Sequence, residues 1–200
     1  GDQIVSFDLS VMSNKNIILA VTGGIAAYKS AILVRRLKDF GFDVRVVMTK
    51  GAQAFITPLT FQALSGNPVH TELLDPEAEA GMGHIELARW ADLVVVAPAS
   101  CDSIAKFAAG LADDLLSTLY LATKAPVWIA PAMNQQMWAA KATQRNLNTL
   151  VEDGVHVIMP EAGSQACGDV GLGRMPEPEH LAQQVMDYFH QAQRAIAEKF

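Results

Sequence analysis

The stretch "NIILAVTGGIAAYK", Asn16–Lys29, decides how this chain folds. Its first half is a short run of apolar and β-branched residues without alternation. A strand covered on both faces of a parallel sheet reads this way. Its second half is a glycine pair that opens a helical segment. Four more runs of the first kind follow: "DVRVVMT" (Asp43–Thr49), "DLVVVAPAS" (Asp92–Ser100), "APVWIAPA" (Ala125–Ala132) and "GVHVIMP" (Gly154–Pro160). Helical patterns lie between them. Ala26–Phe40 has apolar residues at helical spacing and Gly41 as its stop. "DDLLSTLYLAT" (Asp113–Thr123) and "ATQRNLNTLVEDG" (Ala142–Gly154) read the same way, and Glu179–Phe200 is an amphipathic terminal helix. Strand–helix alternation with short connections predicts the α/β class: a doubly wound, Rossmann/flavodoxin-like parallel sheet with helices on both faces.

The 200 residues suit one domain with a full core. Half of them are apolar and the mean hydropathy is +0.19. That is high for a monomer and points to apolar surface buried between subunits. The net charge of −6 gives no basic footprint for nucleic acid. No apolar run approaches the roughly 18 residues that cross a bilayer. The two cysteines give neither a disulfide framework nor metal-ligand spacing, and a reducing cytoplasm is the simplest setting. Residues 1–15 read as an N-terminal extension or an expression remnant, and residues 16–200 as the functional domain.

In a doubly wound sheet, ligands bind beyond the carboxyl ends of the strands. Gly23 and Gly24 follow the first strand and open the first helix, where backbone N–H groups and the helix dipole favour an anion. Thr22 adds a hydroxyl. The pattern is not G-x-G-x-x-G, and the second strand ends on Thr49 rather than on an acid. Both features favour a mononucleotide phosphate over NAD, although a tight turn explains the glycines equally well. The third strand ends "APASCDSIAK", where Ser100, Asp102 and Ser103 are candidates either for a ligand or for helix capping. The fourth ends "APAMNQQMW". Here Asn134 can present its NH₂ to a carboxylate, while Met133 and Met137 also suit a core. His84 and Arg89 stand just ahead of the third strand. Cys167 lies in "GSQACGDVGLGRM" (Gly163–Met175), a stretch whose glycines argue against helix and strand alike and read as a flexible lid over about residues 160–176.

Together "TGGIAAYK", "GHIELARWADL", "APAS", "PAMNQQMW" and "ACGDVGLGRM" resemble the phosphopantothenoylcysteine decarboxylase family, relatives of flavin-containing cysteine decarboxylases that process peptides. The resemblance covers roughly Asn16 to His190. It implies FMN bound at Thr22, Gly23, Gly24 and Ile25, at Thr49, at Ser100, Cys101, Asp102 and Ser103, and at Ala132. It implies His84 as the catalytic histidine, Asn134 as the residue that holds the substrate carboxylate, and Cys167 as the proton donor. Arg89, Met137, Ser164, Gln165 and Ala166 fall where the family contacts substrate. No metal is implied.

The implied reaction is decarboxylation of 4′-phosphopantothenoylcysteine to 4′-phosphopantetheine in coenzyme A biosynthesis. The cysteine moiety is oxidised, carbon dioxide leaves, and the ene-thiol is reduced again. A thiol near its reference pKa of about 8.5 is mostly protonated at neutral pH, as a donor requires. Implied partners are copies of the same chain, as a homotrimer or homododecamer, and a fused CTP-dependent phosphopantothenate–cysteine ligase domain. The chain reads either as one half of such a protein or as a monofunctional version. Two other readings stay open at this level: a flavin prenyltransferase-like enzyme and a non-catalytic regulatory flavoprotein.

Overall fold

The computed structural model describes residues 15–77, 81–159, 161–164 and 170–199, the segments 161–164 and 170–173 by their backbone alone. Five parallel strands form the central sheet: β1 (Asn16–Val21), β2 (Asp43–Met48), β3 (Leu93–Ala99), β4 (Val127–Pro131) and β5 (His156–Val157). Their order is β2-β1-β3-β4-β5. This is the flavodoxin-like doubly wound arrangement, with its switch point between β1 and β3. The four longer strands fall within two residues of the predicted runs. β5 is much shorter than its run, because only Trp128↔His156 and Ile129↔Val157 pair at this edge.

The strands sort their side chains by parity. Ile17, Leu19 and Val21 point to one face, and Ile18 and Ala20 to the other. The first face is covered by α1 (Ala27–Asp39), α2 (Pro58–Ser65) and the long α8 (Pro178–Glu198). The second is covered by α3 (His84–Trp90), α4 (Cys101–Ala109), α5 (Leu115–Ala122) and α7 (Lys141–Glu152). The short α6 (Gln135–Ala139) follows β4. Gly41 ends α1 as expected. It sits at φ 93°, and Phe42 N–H reaches back to the Leu37 carbonyl.

The glycine-rich stretch departs from its sequence reading. β6 (Glu161–Ser164) and β7 (Val170–Arg174) form an antiparallel hairpin, with Gly163 opposite Gly171 and Ser164 opposite Val170. Glycine weakens a strand without forbidding it, and cross-strand hydrogen bonds supply what side-chain propensity lacks. β7 packs against α6.

Candidate functional site

The carboxyl ends of β1 and β3 are fastened together by one side chain. Thr22 is buried, and its hydroxyl donates to the Pro98 carbonyl at 2.6 Å and accepts from Ser100 N–H at 2.8 Å. The hydroxyl proton is therefore committed to the backbone. Thr22 shapes the switch point rather than offering that proton to a ligand. Thr22→Val keeps the side-chain volume but leaves Ser100 N–H without its acceptor, while the Pro98 carbonyl keeps only the longer bond from the residue-22 N–H at 3.3 Å. We expect a loss of about 1–3 kcal/mol, the cost of one buried unsatisfied group. Thermal unfolding reads this loss, and Thr22→Ser should recover most of it.

Beyond Thr22 the loop turns into α1. A Cβ on Gly23 would stand 3.1 Å from the Gly51 carbonyl carbon, so the loops after β1 and β2 approach at backbone distance. A Cβ on Gly24 would meet open space. Among the described residues, the N–H groups of Gly23, Gly24 and Ile25 donate no hydrogen bond. Three unused donors at the positive end of a 13-residue helix form a cradle for an anion. Thr49, beside this cradle, accepts from Ala52 N–H at 3.2 Å and retains its own proton as a donor. Gly51 was not singled out from sequence. The Thr49–Gly51 spacing after a strand end was the available signal.

After β3, the capping reading holds for Ser100. Ser100 caps α4, accepting from Ser103 N–H at 3.2 Å, and the Ser103 hydroxyl is buried beside it. Cys101 is half-buried, with its sulfur 3.0 Å from the Met133 sulfur. Asp102 points outward and pairs with Lys106 at 3.5 Å. Asp113 and Asp114 close on the same ammonium. Burial alone would lower the Lys106 pKa, but Asp114, Asp102 and Asp113 outweigh it and raise it. Burial likewise pushes the Asp114 carboxyl up, while the Ser117 hydrogen bonds and Lys106 hold it below the usual range.

After β4, Ala132 N–H binds the Ala99 carbonyl at 3.1 Å, which draws the next turn toward the switch point. Asn134 is half-buried and caps α6, its Oδ1 accepting from Met137 N–H at 2.9 Å. Among the described residues its NH₂ has no partner. The cap fixes which end of the amide is used internally and leaves the donor end for a ligand. Met137 lies on the same helix, 45% exposed.

His84 opens α3 and is half-buried. Arg89 is not brought to the same edge. It is exposed in the last turn of α3, next to Trp90, whose carbonyl is held by Asn16 Nδ2 at the start of β1. Ser164 closes β6, described by its backbone alone. Gln165, Ala166 and Cys167 lie outside the described residues.

The flavoprotein family model matches residues 8–190. The chain is 58% identical over 178 residues to the coenzyme A biosynthesis bifunctional protein CoaBC of Escherichia coli K12, covering 89% of this chain and 44% of that protein. It is 46% identical over 179 residues to the Bacillus subtilis protein of the same name. The chain thus spans about half the length of the curated relatives it matches. Among solved structures, it is similar to a PPC decarboxylase cysteine-to-serine mutant complexed with pantothenoylaminoethenethiol. That match has a TM-score of 0.77 and 34% identity, over 88% of this chain and 99% of that one. The FMN-binding protein AtHal3 gives 0.76 and 33%, over 89% and 98%. With its sheet order, its switch-point cradle and these matches in agreement, the chain belongs to the flavoprotein family.

Proposed function

We propose that this chain is an FMN-dependent decarboxylase that converts 4′-phosphopantothenoylcysteine to 4′-phosphopantetheine and carbon dioxide in coenzyme A biosynthesis. The observation that carries the proposal is Asn134: an amide locked by its own helix cap after β4, with both N–H donors unused among the described residues. That is what holding a free α-carboxylate requires. The similarity to a PPC decarboxylase over 99% of that chain supports the same substrate class.

The site's own groups fit FMN. The Gly23, Gly24 and Ile25 N–H groups suit its phosphate, with the Thr49 hydroxyl just after β2 and the Ser103 hydroxyl in the first turn of α4. When bound, FMN supplies reversible two-electron chemistry that turns the cysteine side chain into an electron sink for the departing carboxylate's electrons. The remaining roles belong to the chain. Asn134 orients the carboxylate for departure. His84, at the first position of α3, moves or stabilises a proton during oxidation of the thiol-bearing carbon. Cys167 returns a proton once carbon dioxide has left. Gly23→Ala tests the cradle. With its Cβ pressed 3.1 Å from Gly51 backbone, the two loops must part. FMN affinity is expected to fall by about 10-fold or more, as overpacking costs about 1–3 kcal/mol. A flavin titration measures it.

Assembly into a homotrimer or homododecamer belongs to the same proposal. Ile25 just before α1 and Tyr28 and Ile32 on it stand 62%, 57% and 39% exposed, and Phe55 and Leu59 lie exposed before and in the adjoining α2. A second copy is the natural cover for such a surface. In the full-length protein we place a CTP-dependent phosphopantothenate–cysteine ligase domain beside this one, because the bifunctional relatives are more than twice as long as the matched region. The cytoplasm suits a half-exposed free thiol such as Cys101. Among the described residues no helix is long and apolar enough to cross a membrane.

The deciding experiment is purification followed by an absorption spectrum and a carbon dioxide release assay with phosphopantothenoylcysteine. Flavin bands with substrate-dependent release are expected. A colourless oligomer that takes up no FMN would sink the reading.

A further inference from the structure

Lys29 carries a positive charge on a side chain only 5% exposed, in the first turn of α1. A methionine or leucine would fill such a slot more cheaply, since a buried ammonium loses its hydration. What it touches explains its presence. Nζ donates to the Met175 carbonyl at 3.0 Å and to Glu177 Oε1 at 3.3 Å. Arg174 donates to the same Oε1 at 2.9 Å. Met175 is fully buried directly after β7, so its carbonyl depends on this donor. Arg174 is the last residue of β7, and Glu177 stands immediately before α8. Lys29 thus ties the helix behind the Gly23–Ile25 cradle to the base of the β6–β7 hairpin. The hairpin's β7 rests on α6, the helix that Asn134 caps.

We propose that Lys29 is a positioning residue. It sets where β7 stands against α6, the helix that Asn134 caps, and so fixes the substrate's place without touching it. The catalytic part of this inference rests on the decarboxylase reading above; the mechanical part does not. Loss of the ammonium leaves Glu177 paired with Arg174 and 39% exposed, so no buried charge is stranded. The Met175 carbonyl does lose its donor, so the unfolding temperature should drop by about 3–10 °C, the scale of one buried carbonyl left unpaired in a domain of this size.

The test is Lys29→Met in the FMN-loaded oligomer, read by hydrogen exchange, flavin content and kinetics. The expected result is faster exchange confined to 161–164 and 170–174, with β1 and β3 amides unchanged and FMN fully retained. kcat/KM should fall by about 100-fold, mainly through KM, as displacement of a positioning element by about 1 Å can cost that much. Glu177→Gln, which keeps an acceptor for Nζ, should fall between wild type and Lys29→Met. Combined with Lys29→Met it should add little. Unchanged exchange in the hairpin overturns the proposal. So does a loss of turnover that merely tracks loss of FMN or of folded protein. If Lys29→Met fails to fold, hairpin exchange and KM in Glu177→Gln decide the question in the same two directions. A wild-type protein without decarboxylase activity would defeat the functional reading and leave the exchange result to judge the tie.

Discussion

Asn134→Asp is expected to remove decarboxylase activity while leaving the fold and the flavin in place. Aspartate is as good a helix cap as asparagine, so the bond from Met137 N–H to the side-chain oxygen survives. The free end changes from an NH₂ donor to a carboxylate oxygen. A charge-assisted hydrogen bond worth about 2 kcal/mol is lost. A repulsion of about 4 kcal/mol replaces it, for like charges about 4 Å apart at an effective dielectric of about 20. Together these predict a fall in kcat/KM of about 10⁴-fold. Asn134→Ser, which caps but neither holds nor repels a carboxylate, should lie between. The check is steady-state kinetics beside the flavin spectrum and the unfolding temperature. Near-normal kcat/KM in Asn134→Asp would remove the amide from the site.

The second large effect belongs to Cys167→Ser. A serine hydroxyl is a far weaker acid than a thiol. The proton needed after carbon dioxide leaves should then arrive too slowly. Formation of 4′-phosphopantetheine is expected to drop by about 10²–10⁴-fold, the usual reach of a general acid. Carbon dioxide should still be released, and the ene-thiol, lighter than the normal product by two hydrogens, should form once per flavin, and again only as dissolved oxygen takes the two electrons left on the flavin. Mass spectrometry distinguishes the two products. A variant that still makes 4′-phosphopantetheine at the normal rate refutes the donor role.

Much of the fold was legible from the residues. β1, β2, β3 and β4 are β-branched runs whose two faces are both buried, and such runs announce themselves without any partner. The end of α1 was legible for an equally local reason: Gly41 takes a positive φ that other residues resist. β6 and β7 were not legible. Their pairing comes from cross-strand hydrogen bonds between glycine-containing segments, with no alternation of side chains to reveal it. α2 and α6 were missed because they are short, eight and five residues, and carry too few turns for a helical period to stand out.

The candidate site divides along the same line. The residue types at the strand ends were readable: glycines for a backbone cradle, serines for caps, an amide after β4. Their division of labour was not. Thr22 looked like a ligand hydroxyl, yet its proton is bonded to Pro98. Arg89, a substrate contact by resemblance, lies exposed in the last turn of α3, beside a residue that bonds Asn16 at the start of β1, a position no strand-end motif gives. Lys29 ends a motif and was given no role from sequence, yet it is buried against residues 146 and 148 positions away.

The sequence by itself determined the class of the fold, the positions of the main strands and the chemistry available at their carboxyl ends. These are local properties, set by propensity, burial pattern and side-chain type. Tertiary structure alone decided the order β2-β1-β3-β4-β5, the joint of Thr22 with β3, the contact of Gly23 with Gly51 and the tie from Lys29 to the hairpin. Each of these joins residues far apart along the chain. Packing free energy selects such contacts only once the whole sheet has formed, and no local signal encodes them.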